Sequence, residues 1–192
     1  MRAMRVLAAG LVVTAGLCLV SALVMPRVVH MHPEPREREC RVLLRGVYSG
    51  QQALRADRGR YSTRIGDIGF QPEYGNRYLY LLTPDGRIAE RRDGGAALGL
   101  DLGANGVGPD TSRTQETTAT LRAKLPASIA AELGTYGDCD AGTCGFTAAC
   151  VGNVDGDETP DVWTVSTEET VDVDGVRVAP GQPARRVNDR AD

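Results

Sequence analysis

Twenty consecutive residues, Val6 to Met25, carry no charge, and only Thr14 and Ser21 put hydroxyls among them. Wound as a helix at roughly 1.5 Å per residue, such a run spans about 30 Å, the thickness of a bilayer's hydrocarbon core. We expect residues 1–25 to be an N-terminal transmembrane anchor. A cleaved secretory signal, with a site at Val20-Ser21-Ala22, is the competing reading, but the apolar stretch continues through Leu23, Val24 and Met25. Cys18 is read as a small apolar residue of the run, because Leu17 directly before it is too bulky for a lipidation site. Residues 26–35 contain Pro33 and Pro35, which oppose a continuous helix, and are read as a juxtamembrane linker. His30 and His32 lie in that linker without a third metal ligand beside them.

The remainder of the 192-residue chain suffices for one domain, placed at 36–180, with a polar tail at 181–192 expected to be disordered. Beyond residue 25 there are 20 basic and 25 acidic residues, a net charge of −5 that disfavours a nucleic-acid partner. Aromatics make up 5% of the chain, so a large aromatic-lined substrate pocket is not expected. Both histidines fall outside the domain, leaving no conventional base for a Ser-His-Asp or Cys-His arrangement, and an enzyme is not expected. Four cysteines, Cys40, Cys139, Cys144 and Cys150, form no C-x-x-C pair and point to disulfides in an oxidising compartment. A Cys139–Cys144 bridge would tie a turn and Cys40–Cys150 would fasten a helix to a strand, although four cysteines allow three connectivities.

Cys40, Leu43, Leu44, Val47, Gln51 and Leu54 recur at spacings of three and four, which predicts an amphipathic helix from 36 with a core-facing stripe, ending near Arg58-Gly59. Gly46 and Gly50 share the G-x-x-x-G spacing that lets another helix approach closely. Residues 61–76 read as an ordered loop, 78–82 as a strand followed by the turn Pro84-Asp85-Gly86, and the Gly-, Asp- and Thr-rich 91–120 as a surface loop. A short helix is expected over 128–133, capped by Ser128 and stopped by Gly134. Strands follow at 146–151 and 162–166, and a hairpin turns at Asp174-Gly175 between Val171 and Val178. One long helix followed by antiparallel strands predicts an α+β fold, the helix packed on a small antiparallel sheet.

Particular residues add to this reading. The helix carries Tyr48-x-x-Gln51 and leads to Arg60-Tyr61-Ser62. Then comes Ile68-Gly69-Phe70-x-Pro72-Glu73-x-Gly75-Asn76-Arg77-Tyr78-x-Tyr80, and later Gly152-Asn153 and Asp161-Val162-Trp163. In these segments the chain resembles bacterial type IV pilins, and the spacing of Pro26 and Glu39 is similar to theirs. The resemblance implies an anchored helix on a sheet, with other pilin-like subunits or pilus or secretion machinery as partners. It implies a protein held in the inner membrane with its domain in the periplasm or at the cell surface. It also marks a departure: aligned through Pro26, the glutamate expected inside the membrane segment falls on Ala9, and the Gly-Phe/Met-Thr-Leu-x-Glu processing motif does not occur. A structural or accessory subunit of a type IV pilus or pseudopilus is therefore expected.

Asn153, Asp155, Asp157, Thr159 and Asp161 set oxygen atoms at alternating positions and form a candidate calcium loop, the side chains of the four Asn/Asp residues and the carbonyl of Thr159 serving as ligands. Some pseudopilins bind calcium in C-terminal loops. Glycine at the loop's fourth position and proline at its eighth depart from common calcium loops, and the segment also reads as an Asp-rich turn. A membrane-tethered, calcium-dependent binding module that never polymerises is the alternative function.

Overall fold

Why the first helix sits where it does follows from its stripe. In the computed structural model, which describes residues 34–90, 101–153 and 158–187 with side chains from Glu37 on, helix α1 runs Glu34–Arg58. Cys40, Leu44, Val47, Gln51 and Leu54 are buried along one side and Leu43 is half-buried beside them. Helix begins two residues before the expected boundary, since Pro35 occupies the first turn, where its missing N–H costs no internal hydrogen bond. Residues 36–192 form one compact unit and 1–35 another, described only at its last two residues. The apolar run 6–25 lies outside the described residues, among which no helix is long and apolar enough to cross a membrane.

Strands β1 (Leu79–Leu81), β2 (Ile88–Ala89), β3 (Gly106–Val107), β4 (Gly134–Tyr136), β5 (Gly145–Gly152), β6 (Asp161–Ser166) and β9 (Ala184–Val187) make a seven-stranded sheet in the order β2-β3-β1-β5-β6-β9, with β4 also on β5. Strands β7 (Thr170–Val171) and β8 (Arg177–Val178) form a separate two-stranded ribbon at the expected hairpin. Pairing is antiparallel except between β2 and β3, which are parallel, so the sheet is mixed where a purely antiparallel one was expected.

Every residue of β5 and β6 is buried, because both faces of the sheet are covered. Phe146, Ala148, Cys150, Trp163 and Val165 pack under α1. Ala149, Val151 and Val162 pack on the other face against Leu121, Leu125, Ile129 and Leu133. Leu121 comes from helix α2 (Thr118–Ala123), Leu125 from the link to helix α3 (Ala127–Ala130), Ile129 from α3 and Leu133 from the turn after it, a third layer absent from the two-layer expectation.

Three further expectations are corrected. The surface loop expected at 91–120 contains, within its described part, buried residues 106–110, strand β3 and the start of α2. Gly106 admits β3 because a Cβ there would strike the carbonyl oxygen of Tyr80 on the neighbouring strand. Ser128 lies inside α3, whose N-cap is Pro126 without a side-chain hydrogen bond, while α2 has the reciprocal cap: Thr120 N donates to Thr117 Oγ1 at 3.1 Å and Thr117 N to Thr120 Oγ1 at 2.8 Å. The expected tail supplies β9, which pairs with β6 through Trp163↔Arg185 and Thr164↔Ala184.

Candidate functional site

The two predicted bridges are those formed: Cys40–Cys150 joins α1 to β5 across a Cα separation of 6.2 Å, and Cys139–Cys144 closes a turn at 4.6 Å. Besides the first bridge, polar and aromatic side chains hold α1 to the sheet and to the loop after it. Gln51 lies against the backbone of Ser62, donating from Nε2 to its carbonyl at 2.6 Å and accepting its N–H at 3.0 Å. Tyr48 and Tyr61 both pack on Phe146, with ring centroids 5.8 and 5.2 Å away. The Tyr-x-x-Gln and Arg-Tyr-Ser residues thus hold the helix to the loop that follows it.

The Gly75–Tyr80 segment has an equally definite role. Gly75, at φ +88°, donates its N–H to Asp110 at 2.9 Å. Asn76 Nδ2 reaches the carbonyls of Tyr78 and Gly108 at 3.0 and 2.9 Å. Arg77 N donates to Glu39 Oε1 at 2.8 Å, and Tyr78 Oη donates to Asp161 Oδ2 at 3.0 Å. Burial pushes the Glu39 carboxyl up from its ordinary value against the pull of Arg77, and pushes the Tyr78 hydroxyl up with Asp161 adding to it. Gly152 completes the fit, since a Cβ there would meet the Tyr78 ring at 2.5 Å. Sequence reasoning missed Asp110, which sits in the supposed surface loop with no periodic pattern to mark it.

Of the candidate calcium ligands, Asp155 and Asp157 lie outside the described residues. Asp161 is buried and turned inward, where Trp163 Nε1 donates to both its oxygens at 3.0 Å and Tyr78 to one. Burial raises its carboxyl, and the Trp163 hydrogen bond works against that. Asn153 Nδ2 donates to Glu116 Oε1 at 3.2 Å. Among the described residues no group of three His, Cys, Asp or Glu could hold a metal ion. The structure therefore uses Asp161 as an interior anchor for two aromatic side chains.

Trp163 is flanked by two guanidinium groups, Arg41 at 5.5 Å and Arg185 at 4.9 Å from the ring centroid. Arg185 also pairs with buried Glu37 at 3.0 Å, so β9 and α1 are tied through a charge contact that the sequence did not announce. The Cys40–Cys150 bridge and the Glu37 and Glu39 contacts fasten α1 to the sheet. A family model described as "Type IV pilin PilA" matches residues 34–161, a span that begins with α1 and ends at Asp161. The chain belongs to the type IV pilin PilA family. A relative from Myxococcus xanthus (strain DK1622), the type IV major pilin protein PilA, is 27% identical over 169 residues, covering 81% of this chain and 76% of that protein.

In this pilin-family chain the other side of α1 is open. Val42, Gly46, Ser49, Ala53 and Ala56 are all exposed and alternate at spacings of four and three, directly opposite the Cys40–Leu54 stripe. The two glycines once paired as a G-x-x-x-G signal have different tasks. A Cβ at Gly50 would strike the Ile68 carbonyl, whereas Gly46 has nothing within 4 Å.

Proposed function

We propose that the protein is a structural or accessory subunit of a type IV pilus or related pseudopilus, anchored in the inner membrane by residues 6–25 and acting through contacts with other pilin subunits. One observation carries this reading: α1 is fixed to its own sheet on one side and presents exposed small residues at heptad spacing on the other. Helices pack at such 3-4 spacings, and small side chains allow their axes to approach closely. Family membership supports the pilin partners. The two disulfides support a domain outside the cytoplasm. The accessory role is favoured by Ala9 and by the missing processing motif, because one charged contact that guides ordinary subunits into a filament is absent.

Shearing surface filaments from native cells, and measuring the intact mass of the protein in filament, membrane and soluble fractions, tests the proposal. Recovery in filaments, below the amount of the main subunit, is the expected result. Full-length protein confined to the membrane fraction would overturn it.

A further inference from the structure

Two exposed patches of this molecule are opposite in charge, and each carries uncovered valine. On α1, Arg38 and Arg45 project beside Val42, which is 55% exposed. Among the described acidic groups of the same stretch, Glu37 is turned to Arg185 and Glu39 to Arg77, which leaves the exposed arginines as the described charge of this flank. The second patch is the β7–β8 ribbon and the groove beside it, a cleft of about 640 Å³ whose edge includes Glu168 and Val171. Glu168 and Asp174 are exposed there, and Val171, Val173 and Val176 are 51%, 44% and 57% exposed.

A two-stranded ribbon is marginal in water without a covering surface, and three exposed valines on nine residues are an unusual load for it. Within one molecule Gln182, four residues past the ribbon, reaches the arginine flank, its Oε1 accepting from Arg45 Nη2 at 3.1 Å, but the ribbon's groove faces elsewhere. The groove is lined by Thr147, Ser166 and Arg186, whose neighbours Phe146, Val165 and Arg185 point to the α1 side, so it opens on the opposite face of the sheet from α1.

We infer that the β7–β8 ribbon of one copy docks on the arginine flank of α1 in a second copy, its valines covering Val42 while Glu168 and Asp174 face Arg38 and Arg45. The inference rests on the pilus-subunit reading and adds to it a contact at the Val42 end of the open side of α1. A contact between two different patches is heterologous, and wherever its rotation does not close a ring it propagates from copy to copy, as a filament requires. Opposite charge sets the register, and the valines supply apolar area.

Charge exchange in the full-length chain, expressed in native cells, tests it. R38E/R45E and E168R/D174R should each lower the filament-associated fraction about tenfold, and the four substitutions together should restore it to within about threefold of the parent. Total protein and an intact mass showing both disulfides report folding. If a reversal lowers the total, the neutral pair E168Q/D174N replaces it, with a loss of about threefold expected. Unchanged filament fractions in the two-residue variants, or a four-residue variant no better than they are, would overturn the contact alone. A parent chain absent from filaments would overturn the pilus reading and this contact with it.

Discussion

The two faces of the sheet are covered in different ways. On one, α1 is joined by a disulfide, by the Gln51–Ser62 amide clamp and by the Glu37–Arg185 and Glu39–Arg77 pairs. On the other, the α2–α3 layer lies on the strands mainly through four aliphatic side chains, Leu121, Leu125, Ile129 and Leu133, with the Arg186–Glu132 pair and the Arg122–Gly86 hydrogen bond as its directional contacts. Apolar burial supplies free energy without direction, whereas covalent and hydrogen-bonded fastenings fix one rotation and one height of a helix. The α1 face is the one with a covalent fastening and the larger set of directional contacts. The other relies chiefly on apolar cover.

That contrast is open to measurement, with unfolding followed by the fluorescence of Trp163, the only tryptophan. The largest effect belongs to the α1 face. Replacing Cys40 and Cys150 by alanine opens a cross-link across 110 residues and should lower stability by about 4–5 kcal/mol. The same change at Cys139 and Cys144, five residues apart, should cost about 2 kcal/mol, and equal denaturant midpoints for the two double variants would break the comparison. On the far face, Leu121→Ala removes a fully buried side chain and should cost about 3 kcal/mol, leaving the α1 contacts and the disulfide mass pattern unchanged. Thr117→Ala deletes the cap of α2 and should cost about 1 kcal/mol, read as a shift in midpoint at constant slope.

The smallest effect is one of pH. Burial raises the folded-state value of Asp161 above its ordinary 3.8, so the folded protein takes up that proton before the unfolded chain does. The Asp161 contribution is therefore complete below about 3.8 and is lost as pH rises through the folded-state value. Asp161→Asn should flatten the gain in melting temperature on acidification from neutral pH. A difference curve with no slope would show that the carboxylate is not desolvated as its position under Tyr78 and Trp163 requires.

How legible this was from residues alone differed by face. The α1 stripe, the strands around Cys150 and Trp163, and the motif segments announced themselves because burial on a helix or strand imposes a period. The second layer did carry a signal, Leu121, Leu125, Ile129 and Leu133 at steps of four, but Pro126 divides it into pieces too short to read as one helix. Strand β3 has two residues, one of them glycine, and no period can be seen in two residues. Strand β9 reads as polar because it carries Arg185 and Arg186. Their partners, Glu37 and Glu132, lie 148 and 54 residues away, a distance over which local sequence is silent. In the candidate calcium loop Asp155 and Asp157 lie outside the described residues, and the oxygens of Asp161 accept from an indole and a phenol, contacts that the local spacing did not announce.

The bridge between Cys40 and Cys150 also imposes an order of events. As the chain is made, Cys40 emerges first of the four bridged cysteines, and Cys139 and Cys144 both appear before its true partner. An oxidant that joined sulfurs in order of arrival would offer Cys40 to Cys139. Correct pairing thus depends on α1 waiting, undocked and reduced, until β5 has been laid beside β6, or on a wrong bridge being exchanged afterwards by thiolate attack. The bridge that fastens α1 therefore needs the chain as far as Cys150, although the helix itself is complete by Arg58.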